Sequence, residues 1–367
     1  MVKINYKKSG VNYDLLDPFK VLAQKAAKTT DTFAKDLGIK SVKSSRGESC
    51  FLMEYKDGYL AHVEEGLGTK NLIADAMGKY GDKTYYNNIA IDTVATIVND
   101  LITLGALPVS IAMHLAVGNS EWFRNHKRME DLVKGWKLGC KLSGCVWAGG
   151  ETPTLKGIIE KESALLGGSA VGIVKDKSQL ISGDIQSGDR IILMESSGIH
   201  ANGASLARRI AKELPLGFKT KMDDGKTFGD GLLAPSIIYV PVIKKCFDAG
   251  IKIHYAVHIT GHGWRKLMRA TSPFVYVIEK ILKPLPVFKF IQQHSGMDEK
   301  EMYATFNMGA GFALYVDKKD AKRVLAISKE CKMNAIDAGY IKKQGKTKKV
   351  KILPKKIEYS GSSLAVR

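Results

Sequence analysis

"DTVATIVNDLITLGALP" runs from Asp92 to Pro108, and the reading of the first half of the chain turns on it. Val94, Ile97, Val98, Leu101 and Leu104 recur at helical spacing and predict a stripe facing a core. Asp92, Thr96, Asn99, Asp100 and Thr103 recur at three or four residues and share the other face. In so basic a chain a solvent face would hold Lys or Glu, and this one holds neither. Short acceptors alone, two of them carboxylates, suit a buried cation or a phosphate–metal complex. The competing reading is local, because mid-helix Asn and Asp can also be satisfied by nearby backbone.

Outward from this helix, strands and helices alternate. Upstream, a helix is expected from Asp17, which serves as its cap. "CFLMEY" and "YLAHVEE" read as strands around the turn "YKDGY". Downstream come a strand at "VSIAMHLAV", a helix at "NHKRMEDLVKGWKLGCKLSG", and strands at "CVWA" and "LLGGSAVGIV". The polar stretch Lys175–Asp189, rich in Gly and Ser, reads as a linker. A second unit follows, with strands at "RIILMES", "IKIHYAVHI" and "GFALYV". Its helices are expected at "ASLARRIAKEL", "APSIIYVPVIKKCFDAG" and "KKDAKRVLAISKEC". The class is therefore α/β (α+β) in two domains, 1–175 and 176–367.

The composition is compatible with that division. A chain of 367 residues exceeds what one core usually serves. Hydrophobic residues make up 45% and charged residues 25%, as in folded soluble proteins. The weakly polar run Ala164–Val174 is too short and too glycine-rich to span a bilayer. "MVKINYKKSG" lacks a signal-peptide apolar segment, so a cytoplasmic protein without membrane contact is expected. The five cysteines are scattered with no C-x-x-C pair, which argues against a disulfide scaffold or a structural zinc site. The net charge of +19 admits nucleic acid or anionic small substrates as partners. The densest basic run, Lys342–Lys356, has no interleaved aromatics. It reads as a solvated tail or edge segment, and nucleic acid is not the expected partner.

Four loops carry candidate chemistry. "EEGLGTK" (Glu64–Lys70) follows a strand and offers Glu65, Gly66, Gly68, Thr69 and Lys70, without Walker A spacing. "CVWAGGETP" places Gly149, Gly150 and Glu151 just past a strand end, where glycines admit a ligand close to the backbone and a carboxylate can enter a crevice. "SSGIHANGASLARRI" (Ser196–Ile210) runs from a strand through a loop into a helix start, whose free N–H groups bind anions. Ser197, Gly198, His200, Asn202 and Gly203 lie in that loop. "HITGHGWRKLMRA" (His258–Ala270) repeats the plan with Thr260 and Gly261. His254, His258 and His262 are four apart, but the strand-like alternation of "KIHYAVHI" argues against one shared metal site.

Taken in order from about Lys8 to about Ile341, these stretches resemble the AIR synthetase (phosphoribosylformylglycinamidine cyclo-ligase) family. "EEGLGTK" is similar to its Asp-Gly-Val-Gly-Thr-Lys, with Glu65 in the Asp place. "IDTVATIVNDL", "GGET", "SSGIHANGASLARRI", "LLAPSIIYV", "HITGHG" and "EMYATFNMGAG" also match. The resemblance implies two α/β domains and a homodimer, with the N-terminal sheet forming a barrel at the dimer interface. It implies ATP and Mg²⁺ as cofactors and a phosphorylated ribonucleotide as substrate. The formyl amide oxygen would be activated as a phosphate ester, an amidine nitrogen would attack that carbon, and phosphate would leave. By the same resemblance Glu65, Asp100 and Glu151 would hold Mg²⁺, and Lys70 would balance phosphate charge. Asp92, Asn99 and the glycines at 66, 68, 149 and 150, with Thr69, would line the nucleotide cleft. His200 and Asn202, with Ser197, Gly198, Gly203, Thr260 and Gly261, would meet the substrate. Three departures stand out. "VKSSRGESCF" has one glycine where the family has a glycine-rich lid. "SALLGGSA" (Ser163–Ala170) lacks the family's carboxylate. "TGHG" replaces three glycines with His262 among two. Two other readings remain: a relative acting on a different acceptor, and a catalytically silent basic binding protein on the same scaffold.

Overall fold

The computed structural model describes residues 13–364. In chain order the elements are α1 (Tyr13–Lys28), β1 (Lys40–Ser41), β2 (Phe51–Tyr55), β3 (Gly58–Gly66), α2 (Asn71–Gly78), α3 (Tyr86–Leu101), β4 (Leu107–Val117), α4 (His126–Ser143), β5 (Val146–Glu151) and β6 (Ala164–Val174). The second half adds β7 (Arg190–Glu195), α5 (Ala204–Glu213), α6 (Phe228–Leu232), α7 (Val240–Asp248), β8 (Ile253–His258), β9 (Val275–Ile278), α8 (Pro286–Ser295), α9 (Glu299–Thr305), β10 (Ala310–Val316), α10 (Ala321–Glu330), β11 (Ala335–Lys342), β12 (Lys349–Ile352) and β13 (Ile357–Ser360). No described helix is long and apolar enough to cross a membrane.

Each half builds one mixed sheet. The first has the order β1-β2-β3-β6-β4-β5, antiparallel except for β4 beside β5. The second has the order β13-β12-β9-β11-β7-β10-β8, antiparallel except for β12 beside β9. The expected barrel is not formed. A sheet closes only when its two edge strands pair with each other, and here β1 and β5 are the unpaired ends of an open sheet. The inner face of that sheet is covered by α3, whose Val94, Ile97, Val98 and Leu101 are fully buried. Its outer face carries apolar side chains in the open: Val109, Leu165, Val171 and Ile173 are 47, 50, 40 and 39% exposed.

Several boundaries differ from expectation for local reasons. The first helix begins no later than Tyr13, so Asp17 and Pro18 lie inside its opening turns. The long helix starts at Tyr86 rather than near Asp92, extended backward by the buried Ile89 and Ala90. "APSIIYV" is extended up to Val240, because Pro235 lacks the N–H that a helix interior uses. Gly149, Gly150 and Glu151 belong to β5 and not to a loop beyond it. The basic run folds back as β12 and β13 at a sheet edge, with Val350 and Ile352 buried and Lys349 and Lys351 paired with Glu358.

Candidate active site

The polar face of α3 is built into the seam between the two halves. Asp92 and Asn99 are completely buried there, and Asp100 is 7% exposed. Asp92 accepts from the backbone N–H of Ser236 at 2.8 Å and from its hydroxyl at 2.5 Å. Its other oxygen meets the Lys70 ammonium at 2.7 Å, and Lys70 also donates to the Ala234 carbonyl at 3.1 Å. Two turns along, the Asn99 amide donates to the Ile237 carbonyl at 2.8 Å and accepts from the Tyr239 N–H at 3.0 Å. The segment 234–239 thus has its Ser236 and Tyr239 N–H groups and its Ile237 carbonyl satisfied by α3 side chains, and its Ala234 carbonyl by Lys70, as buried backbone requires. Burial pushes the Asp92 carboxyl up and the Lys70 ammonium down, each against the pull of the other. Removing one partner leaves an uncompensated buried charge. Asp92→Ala is therefore expected to lower unfolding free energy by about 3–5 kcal/mol, measured by chemical denaturation. A loss below about 1 kcal/mol would contradict this account of the seam.

Asp100 lies beyond the seam, at the end of the helix, and faces a different set. Its Oδ1 is 2.6 Å from the Nδ1 of His258, at the end of β8. Glu65 arrives from β3, where Ala61 and Val63 point inward and the alternation carries Glu65 to the same face. The two carboxyls adjoin. Burial and then the Asp100 charge push the Glu65 carboxyl up to about 7. Burial also acts on Asp100, but the His258 hydrogen bond, with the charges of His258, Lys266 and Arg269, outweighs it and holds this carboxyl below the usual range. Around the pair lies a cavity of about 200 Å³, walled by Glu48, Ser49, Thr260, His262, Lys266 and Arg269. Burial and the neighbouring Arg269 bring the Lys266 ammonium down to about 8. Lys266 donates to the Thr260 hydroxyl and, at 3.3 Å, to the His258 carbonyl.

The glycine loop after β7 forms the adjoining wall. Asn307 organises it: the Ser196 hydroxyl donates to Oδ1 at 2.8 Å, and Nδ2 donates to the Gly198 carbonyl at 2.9 Å. Ser197 donates through its hydroxyl to the Pro235 carbonyl at 2.5 Å and through its N–H to the Nε2 of His200 at 3.3 Å. His200 is buried, and its Nδ1 has no partner. Burial, then the nearby His258 and Lys70, hold its imidazole well below the ordinary value, in the neutral form. Gly203, at φ +90°, starts α5, and a side chain there would run into the Phe306 ring. No side chain caps α5, so its first N–H groups stay available. Thr69 from the first half reaches this helix start, 3.1 Å from Ser205.

Glu65, Asp100, Thr260 and Lys266 therefore meet at one cavity, with Thr69, Ser197, Gly198, His200 and Gly203 forming the loop wall between the halves. Asn202, half-buried, sits in that wall without capping the helix. Gly66 and Gly68 flank Leu67 at the end of β3, and Gly261 precedes His262 in the other loop. Lys70, Asp92 and Asn99 are spent on the seam. Glu151 does not join Glu65 and Asp100 in this chain. It pairs with His114, which pairs with Gly167, which pairs with Gly66, so three strand spacings, roughly 14 Å, separate it from β3. Gly149 and Gly150 share that edge strand. Among the described residues no group of three or more His, Cys, Asp and Glu is placed to hold a metal. The three histidines serve three places: His254 bonds Asp189 at 2.8 Å, His258 bonds Asp100, and His262 lines the cavity.

From the sequence, Arg265 and Lys266 stand just inside the helix after the second glycine loop, whereas His258 as an Asp100 partner, Arg269 as a cavity wall, Ser236 and Asn307 emerge only from the structure. The spacing of Lys266 and Arg269, three apart in "WRKLMR", was the available signal for a paired basic wall.

An acidic pair beside cations, next to a helix start with free N–H groups, handles phosphate. The class so defined is a two-sheet α/β protein whose cleft gathers groups suited to an anionic ligand. The family model described as AIR synthase related protein, N-terminal domain, matches residues 47–174, and the C-terminal domain model matches residues 186–351. The chain belongs to the AIR synthase related family. The phosphoribosylformylglycinamidine cyclo-ligase of Methanocaldococcus jannaschii is 35% identical over 330 residues, covering 89% of this chain and 88% of its own. That of Caldicellulosiruptor saccharolyticus is 34% identical over 348 residues, covering 92% and 97%. Among solved structures, a chain of a HypE–HypF complex aligns with a TM-score of 0.60 at 16% identity, over 90% of this chain and 98% of its own. T. maritima PurL complexed with AMPPCP aligns with a TM-score of 0.56 at 14% identity, over 86% and 46%. Those two likenesses concern the fold alone.

Proposed function

We propose that this chain is an ATP-dependent cyclo-ligase that converts formylglycinamidine ribonucleotide to aminoimidazole ribonucleotide with release of ADP and phosphate. The observation that carries the reading is the near full-length match to cyclo-ligases at 35% identity over 330 residues, together with the carboxyl pair facing Lys266 and Arg269. The donor set fits a hard divalent cation. Two adjoining carboxyls, one of them driven toward neutrality by burial and by the other, are relieved when a cation sits between them. Glu65 and Asp100 would hold Mg²⁺, which when bound neutralises charge on a nucleotide's phosphates.

The chain's own residues do the rest. Lys266 and Arg269 place positive charge alongside, where phosphate charge develops. The neutral His200 accepts from the Ser197 N–H through Nε2, so its Nδ1 carries the ring hydrogen and is fit to donate a hydrogen bond to the substrate. The uncapped start of α5, with Ser197, Gly198, Asn202 and Gly203, suits the substrate's ribose phosphate, and Thr260 and Gly261 close the opposite side. Gly66, Gly68 and Thr69 let the nucleotide approach the backbone. His258 acts as a positioning residue for Asp100, as Lys70 does for Asp92. A second copy of the chain covers the outer face of the first sheet, where Val109, Val171 and Ile173, with Leu165 further along β6, are exposed.

A coupled ADP-release assay tests the activity. ADP is expected only when formylglycinamidine ribonucleotide and Mg²⁺ are both present, with loss of signal in excess EDTA. Release independent of that substrate, or phosphorylation of a different acceptor, would overturn the reading.

A further inference from the structure

A cavity larger than the one around Asp100 lies elsewhere in the molecule. It measures about 690 Å³ and lies where the end of α2, the 78–84 loop and the start of α4 meet Arg208 of α5. That volume is in the range of small-molecule sites. Lys79, Lys83, Lys127, Arg128 and Arg208 line it, against Asp75, Asp82 and Glu162.

Two of these charges answer each other. Arg128 lies 3.7 Å from Asp75 and stacks over the Trp122 ring at 4.0 Å, and Asp75 accepts from the Tyr86 hydroxyl at 2.8 Å. This fixed pair forms a wall. Lys83 rests over the Tyr85 ring at 4.3 Å. Among the described residues Lys79, Lys127 and Arg208 have no carboxylate within salt-bridge distance; Lys79 and Lys127 are exposed at the cavity's mouth, the Lys79 charge also acts on Asp75, and partial burial draws the Arg208 guanidinium down.

The start of α4 adds an independent observation. This helix of 18 residues opens with His126, Lys127 and Arg128 and has no acid in its first turn. Basic side chains at the positive end of a helix dipole are unfavourable. Asn125 accepts from the Arg128 N–H at 3.0 Å, while the N–H groups of His126 and Lys127 have no helical acceptor. A positive helix end with unpaired cations around it, opening into a cavity, is the electrostatic complement of a phosphate.

We propose that this cavity binds a phosphorylated small molecule of nucleotide size, at a site separate from the Glu65–Asp100 cavity, with phosphate at the start of α4 facing Lys127, Lys79 and Arg208. Isothermal titration of the full-length protein with inorganic pyrophosphate and with AMP, both in EDTA, tests it. The wild type is expected to bind at least one of these probes. The double variant Lys127→Ala/Arg208→Ala is expected to bind at least tenfold more weakly, Lys79→Ala several-fold more weakly, and Lys127→Arg close to wild type. Asp100→Asn is expected to bind as the wild type does. Cyclo-ligase KM for the ribonucleotide is expected to be unchanged in the double variant. No binding by the wild type, undiminished binding by both the double variant and Lys79→Ala, or loss in Asp100→Asn would overturn the proposal. So would a raised KM for the ribonucleotide, which would make the cavity part of the reaction site.

Discussion

Asp100→Asn is expected to cut ATP-dependent turnover by about a thousandfold while leaving the fold intact. The substitution keeps the shape of the side chain and an oxygen for His258, whose Nδ1 lies 2.6 Å away, so positioning survives. What it removes is the carboxylate that stays ionised beside Glu65. Losing one preorganised charged group at a phosphoryl-transfer site typically costs about 10²–10³ in kcat. Losing a divalent ion's ligand adds a requirement for more Mg²⁺. The expected pattern is a fall in kcat, a raised Mg²⁺ requirement, and thermal unfolding close to wild type. Full turnover in the variant would refute the assignment of Asp100.

Glu65→Gln is expected to separate stability from activity in opposite directions. The carboxyl titrates near 4.5 when free and at about 7 in the folded chain. Between those values the folded state keeps a proton that the unfolded state has released. Stability contributed by this group is therefore complete below pH 4.5 and is lost as pH rises through 7. At pH 8 and without Mg²⁺ the charged side chain costs up to about 3 kcal/mol. Glutamine removes that repulsion. The variant is expected to melt several degrees higher than wild type at pH 8 in EDTA, to differ little at pH 4, and to lose at least a hundredfold in turnover. Added Mg²⁺ should raise the wild-type melting temperature and not the variant's. A variant that melts below wild type at pH 8 would contradict the placement of Glu65 against Asp100.

Periodicity made most of the secondary structure legible, because apolar spacing reflects burial of one face: of β6 under α3, of α4 against α3, and of α10 against β7 and β11 of the second sheet. The polar face of α3 was legible as unusual but not as divided. Asp92 and Asn99 bind backbone of residues 234–239 and Asp100 turns to the cavity, a split that depends on partners more than 130 positions away in sequence. "APSIIYV" read as helix because its apolar residues are buried, but its backbone groups are satisfied from outside the segment, which no local pattern reports. His258 was visible only as one of three spaced histidines, since the strand alternation gave its direction and not its partner. The resemblance to AIR synthetases singled out the loops after β3, β7 and β8, which the structure places near one another. It also carried a closed barrel, which the open edges of this sheet do not form, and a Glu151 that lies on the far edge strand.

The stitching of α3 to residues 234–239 bears on how the enzyme works as a machine. A clamshell motion of one half against the other would strip the bonds from Ser236 to Asp92, from Lys70 to the Ala234 carbonyl and both bonds of Asn99, whose side chains on the first half are at zero solvent exposure. Each of these bonds is worth about 0.5–1.5 kcal/mol net, and they would be lost together, which opposes such an opening. The cleft is thus a fixed jig, and traffic through it falls to small local gates: the Gly47–Ser49 turn gripped by Arg269 and the residues around His262.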